Sequence, residues 1–125
     1  MIRAIDNFFL PVGALDQARE FYGQTLELAL KFDFAAAGMA AFSVGEQEPA
    51  IILKDTTRFP QARPAIWLVV DDVGQAFERL KSAGVSFLSE PFPIRTGHAV
   101  EFLDPFGNLL GFTDYAKGAA PETHA

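Results

Sequence analysis

Shifting the chain by 58 positions along itself lays its first half over its second, and this repetition constrains the fold more than any other feature. The shift pairs Leu10 with Leu68, Val12 with Val70, Gln17 with Gln75, Ala18 with Ala76, Glu20 with Glu78 and Leu30 with Leu88, six identities across three successive segments. Both halves also run through the same order of local patterns. In the first, Ile5 to Val12 is an apolar, β-prone run, and Leu15, Ala18, Phe21, Tyr22 and Leu26 then recur at helical spacing, with Gly23 interrupting the last turn. Strands are predicted at 28–34, 39–44 and 50–54, separated by the small residues Ala35 to Gly38 and by the Gly- and Pro-containing stretch Gly45 to Pro49. The first half therefore reads βαβββ.

Residues 56–64, with Thr, Arg, Gln and two Pro, neither pack nor pair well and read as a linker. Beyond them Ala65 to Val70 is a strand. Asp72 caps a helix carrying Val73, Ala76, Phe77 and Leu80, and Gln75 three positions on completes a capping box. Gly84 ends that helix. Strands follow at 85–88, 99–103 and 109–114, the last two joined by the turn Asp104-Pro105-Phe106-Gly107-Asn108. The expectation is one α+β domain over 1–115, with module 1 at about 3–55, the linker at 56–64, module 2 at about 65–115, and a disordered tail over 116–125.

Composition removes several function classes. The chain has no Cys, which excludes disulfides, thiolate zinc sites, iron–sulfur clusters and a cysteine nucleophile. Sixteen acidic side chains against ten basic ones, with no basic run, argue against nucleic acid as a partner and favour a neutral or cationic ligand. No apolar stretch approaches the roughly 20 residues of a membrane-crossing helix, so no membrane partner is expected and the location reads as cytoplasmic. Aromatic residues are abundant, 13 Phe with two Tyr and one Trp, enough both to fill a core and to line a cavity.

Arg19-Glu20-Phe21-Tyr22, Val70-Asp71-Asp72-Val73 and Asp104-Pro105-Phe106-Gly107-Asn108, set in a duplicated βαβββ frame, resemble the vicinal oxygen chelate superfamily, the glyoxalase, bleomycin-resistance and extradiol-dioxygenase group. The resemblance covers roughly residues 3 to 115. It implies two tandem modules forming a curved mixed sheet around a cleft, and a homodimer. It also implies a divalent metal held by four side chains, typically His and Glu or Gln. Carried over position by position, those ligands fall on Asn7, Ala65 and Gly111, while the strand Ile51 to Lys54 has no Glu or Gln in any register and the repeat shift places Leu53 opposite Gly111. Ala, Gly and Leu bring no side-chain donor, and Asn7 alone does not hold a metal, so no metal and no cofactor are expected.

Alternation along the strands then puts Asn7 and Phe9, Ala65 and Trp67, and Gly111 and Thr113 on the ligand-facing side, with Trp67 as the candidate stacking contact. His98 and Glu101, three apart on one strand, face opposite sides and do not chelate together, but both are candidate binding residues, Glu101 at the rim beside Asp104. Lys54 ends its strand and completes the acid–base candidates, and no dyad is recognisable. The leading reading is a metal-free homodimer that binds a small aromatic or cationic organic ligand, resembling the drug-sequestering, bleomycin-resistance branch. The alternatives are a metal-dependent, glyoxalase-like lyase or dioxygenase with displaced ligands, and a non-catalytic scaffold with a filled core.

Overall fold

The computed structural model describes residues 1–117. The element order is β1 (Ile2–Val12), α1 (Leu15–Glu20), β2 (Ala29–Phe34), β3 (Met39–Val44), β4 (Gln47–Asp55), β5 (Ala65–Val70), α2 (Val73–Ser82), β6 (Ser86–Phe87), β7 (Phe92–Ile94), β8 (Gly97–Leu103) and β9 (Leu109–Thr113). Both expected βαβββ runs are present, and the short strand β7, unforeseen in the sequence, pairs with β8. The chain divides into two compact units. One holds residues 7–64, and the other joins residues 1–6 to the second half from Ala65 onward.

In the first unit the strand order is β2-β3-β4-β1, with β4 parallel to β1 and antiparallel to β3. Leu15 from α1 packs with Ala40, Phe42 and Leu53, and Leu10, Val12, Ala18, Tyr22 and Ile51 surround them. The first helix is shorter than its periodicity predicts. After Glu20 the backbone widens into a π-turn over Phe21–Thr25, where Leu26 N–H reaches back to the Phe21 carbonyl. Residues 56–64 belong to this unit as a string of turns begun by Asp55, whose side chain accepts from the backbone and hydroxyl of Thr57.

In the second unit the order is β5-β9-β8-β6, with β9 parallel to β5. The amphipathic α2 lays Val73, Ala76 and Phe77 against Val70, Val100, Phe102 and Phe112. The rings of Phe77, Phe87, Phe102 and Phe112 run in a chain with centroids 4.7, 5.4 and 4.7 Å apart. Much of the aromatic surplus is thus core packing on the helix side of the sheet. Two side chains of residues 1–6 also bond within this unit. Arg3 makes a bidentate pair with Asp71, at 2.9 and 2.7 Å, and the Tyr115 hydroxyl donates to Asp6.

Asp114, only 3% exposed, organises the end of this unit. One carboxylate oxygen accepts from the N–H of Val73 at the start of α2, and the other from the N–H groups of His98 and Ala116. Asp72, the residue singled out as the cap, accepts from Gln75 N–H as expected. The helix start thus has two carboxylates, one local and one from β9's end. The expected disorder begins too early, since Ala116 bonds to Asp114 and Lys117 donates to the Thr96 and Ile94 carbonyls. The rest of that tail lies outside the described residues. Among the described residues no helix is long and apolar enough to cross a membrane.

Candidate functional site

With Val70, Val100, Phe102 and Phe112 turned to α2, strand alternation leaves Ala65, Trp67, Ala99, Glu101, Gly111 and Thr113 on the other face of the second unit's sheet. Three of these form a row across neighbouring strands. Gly111 in β9 is in register with Trp67 of β5 on one side and Glu101 of β8 on the other. The indole lies over the glycine: a Cβ built on Gly111 would sit 2.5 Å from both Cδ1 and Nε1 of Trp67. Having crossed β9 in this way, the indole N–H donates to Glu101 Oε2 at 3.0 Å. Trp67 is 9% exposed, so its ring is buried on this face.

The remaining candidates in this unit separate. Ala65 is buried beside the row, and Thr113, 1% exposed, turns its hydroxyl to the His98 and Asp114 carbonyls. His98 does not join them. Two-residue periodicity puts it on the face opposite Glu101, where its half-exposed imidazole Nδ1 lies 4.0 Å from Asp114 Oδ1. Asp104, read as a rim acid, is committed to its turn. It accepts from the Asn108 side chain and backbone and from Phe106 N–H, and these donors hold its carboxyl below the usual aspartate range.

In the first unit Asn7 and Phe9 share a face with Ile52 and Lys54, the side away from α1. The Lys54 ammonium sits over the rings of Phe9 and Phe59, 4.7 and 5.1 Å from their centroids. Phe59 gave no signal in the sequence, because its position inside a Pro-rich linker suggested exposure. Leu53 is corrected: it is fully buried in the core beneath α1 and does not face a ligand. Register shows why. Ala65 pairs with Leu109 and Trp67 with Gly111, while Asn7 pairs with Ala50 and Phe9 with Ile52, so Ile52 is the counterpart of Gly111. The paired positions lie 109 − 65 = 44 residues apart in the second half and 50 − 7 = 43 in the first, and the repeat shift slips from 58 to 59 in this strand. One residue of slip reverses every side chain.

The positions at which the resemblance implies metal ligands thus carry Asn7, Ile52, Ala65 and Gly111. This set has one neutral side-chain donor and does not fit a divalent ion. The space a ligand side chain at 111 would need is filled by Trp67. Among the described residues no three His, Cys, Asp or Glu side chains are grouped to hold a metal.

Residues 4–112 match the family model described as Glyoxalase/Bleomycin resistance protein/Dioxygenase superfamily. No curated protein matches the chain. Among solved structures it is similar to a hypothetical protein from Bacillus halodurans C-125, at 20% identity over 94% of this chain and 97% of that one, with a TM-score of 0.69. It is also similar to a glyoxalase/bleomycin resistance protein/dioxygenase superfamily member from Vibrio splendidus 12B01, at 14% identity, covering 91% of this chain and 99% of that one with a TM-score of 0.66. Methylmalonyl-CoA epimerase from Mycobacterium tuberculosis aligns at 21% identity over 92% and 89% of the two chains, with a TM-score of 0.70. At these identities the likeness is one of fold.

Proposed function

Because the chain belongs to the glyoxalase/bleomycin resistance protein/dioxygenase superfamily, we propose that it keeps the family's fold without its metal and acts as a homodimeric binder of a small aromatic or cationic organic molecule, of drug-sequestering type. The observation that carries this reading is the Trp67–Gly111 contact, which gives the volume of one metal-ligand side chain to an aromatic ring. An indole with one carboxylate beside it suits recognition of an organic molecule by apolar contact and a single polar point.

Two measurements test the reading together. Elemental analysis of protein purified without chelators is expected to give far less than one divalent ion per chain, and a stoichiometric ion would overturn the metal-free assignment. A thermal-shift screen against planar and cationic drugs is expected to raise the melting temperature with at least one class. A second reading, a scaffold with a closed face, draws on the burial of Trp67, and a screen without any stabilising compound would favour it.

A further inference from the structure

Glu101 is the one acidic or basic side chain on its face of β5, β8 and β9. The other ionisable side chain in these strands is His98, on the opposite face. Glu101 is half-buried beside the fully buried Ala99 of the same sheet face, and among the described residues no Lys or Arg is ion-paired with it. Its single side-chain hydrogen bond comes from Trp67 Nε1, which occupies Oε2 and leaves Oε1 without a protein donor among the described residues. An indole N–H only donates, so the contact orients the carboxyl as an acceptor without neutralising it. A half-buried carboxylate whose one side-chain donor is neutral keeps its charge and spare acceptor capacity, and a positive partner can use both.

We propose that Glu101 is an ionic anchor for an organic cation, a protonated or quaternary nitrogen on a small apolar body, with Trp67 holding the carboxylate in place from across Gly111. The proposal rests on the small-molecule-binding reading above and narrows it to one ligand class. Gly111 makes the arrangement possible, because any side chain there would lift the indole away and free the carboxylate to swing toward water. Within the chain, Trp67 is the one tryptophan, so its fluorescence reports directly on this row.

The test titrates the purified wild-type protein and Glu101→Gln with three probes of similar size, benzyltrimethylammonium, benzyl alcohol and benzoate, following Trp67 emission and, independently, calorimetric heat. Glutamine keeps an oxygen acceptor for the indole and removes the charge, and circular dichroism establishes that the variant folds. The expected result is saturable binding of benzyltrimethylammonium, at least tenfold tighter than benzyl alcohol, with no response to benzoate. In Glu101→Gln the cation's advantage should fall at least tenfold while weak benzyl alcohol binding persists, and added salt should weaken only the cation. If benzyl alcohol binds as well as the cation and Glu101→Gln changes neither, the anchor is refuted while the small-molecule reading survives. If benzoate binds preferentially, or none of the three binds, the cation assignment is overturned.

Discussion

Trp67 and Gly111 occupy one volume between them: the indole of the first lies where the side chain of the second would begin, 2.5 Å from a Cβ built on the glycine. The two are register partners on parallel strands, so the close approach is set by backbone pairing and cannot be relieved by sliding one strand.

Gly111→Ala is therefore expected to push the indole off the sheet. Overpacking of this kind costs about 1–3 kcal/mol. Denaturant unfolding should show that loss, and the emission of the lone tryptophan should move to longer wavelength as the ring becomes wetter. Unchanged emission would refute the placement of the ring.

Trp67 and Glu101 should prove energetically coupled. A double-mutant cycle of Trp67→Phe and Glu101→Ala, each of which removes one partner of the hydrogen bond, is expected to give a coupling free energy of about 1 kcal/mol, the scale of one hydrogen bond to a charged acceptor partly open to water. Strict additivity would mean that the 3.0 Å contact contributes nothing.

Asp114 should be among the least replaceable residues of the chain. Asp114→Ala strands the N–H groups of Val73 and His98, and a loss of about 2–4 kcal/mol is expected in thermal or chemical unfolding. Gly97→Ala tests the same junction from outside, since its Cβ would land 2.3 Å from Asp114 Oδ1 and 2.8 Å from the Asp114 carbonyl oxygen. Both variants should lower the melting temperature, and hydrogen exchange at the α2 N-terminus should speed up in both.

Leu53→Ala should cost about 2–5 kcal/mol, because the side chain is fully buried under α1. Binding of any ligand found for the protein should survive in the folded fraction of this variant. A selective loss of binding at unchanged stability would restore Leu53 to the ligand-facing side.

Acid should loosen two exposed features together. The Arg3 guanidinium holds the Asp71 carboxyl below its ordinary range, and donors from Asn108 and Phe106 do the same for Asp104. A carboxyl depressed in the folded state adds stability above its unfolded pKa, about 3.9, and loses it as pH falls through the lower folded value. Neither site should respond between pH 5 and 8. Carboxyl carbon titrations by NMR are expected to place both midpoints below that of an unstructured aspartate. Salt should raise the Asp71 midpoint more than that of Asp104, since its partner is a charge on the open surface.

How much of this was legible depends on the range of the interaction. The strand over Ala65–Val70, the α2 helix with its Asp72 cap and the Asp104–Asn108 turn rest on neighbours within a few residues, and all are where their patterns put them. The early end of α1 was half legible, since Gly23 marked a weak last turn but not a π-turn. Leu53 was misplaced because a rigid repeat shift carries no information about one extra residue between paired strands, and period-2 structures turn that single residue into a change of face. Asp114 and Phe59 were missed because what they touch lies on other elements.

The sequence by itself determined that there are two copies of one βαβββ module and that the positions where the resemblance places metal ligands bring almost no donors. Periodicity, caps and side-chain chemistry are properties of the chain, and they survive without coordinates. Only the tertiary structure decided what stands in place of a ligand at one of them. Strand register set Trp67 beside Gly111 and Glu101 on its far side, and the absence of one Cβ let the indole cross the strand to reach the carboxylate. Residues 67, 101 and 111 are distant in sequence, and nothing local to any of them encodes that meeting. It follows from backbone hydrogen bonding between strands, which fixes neighbours to a fraction of an ångström once the sheet has formed.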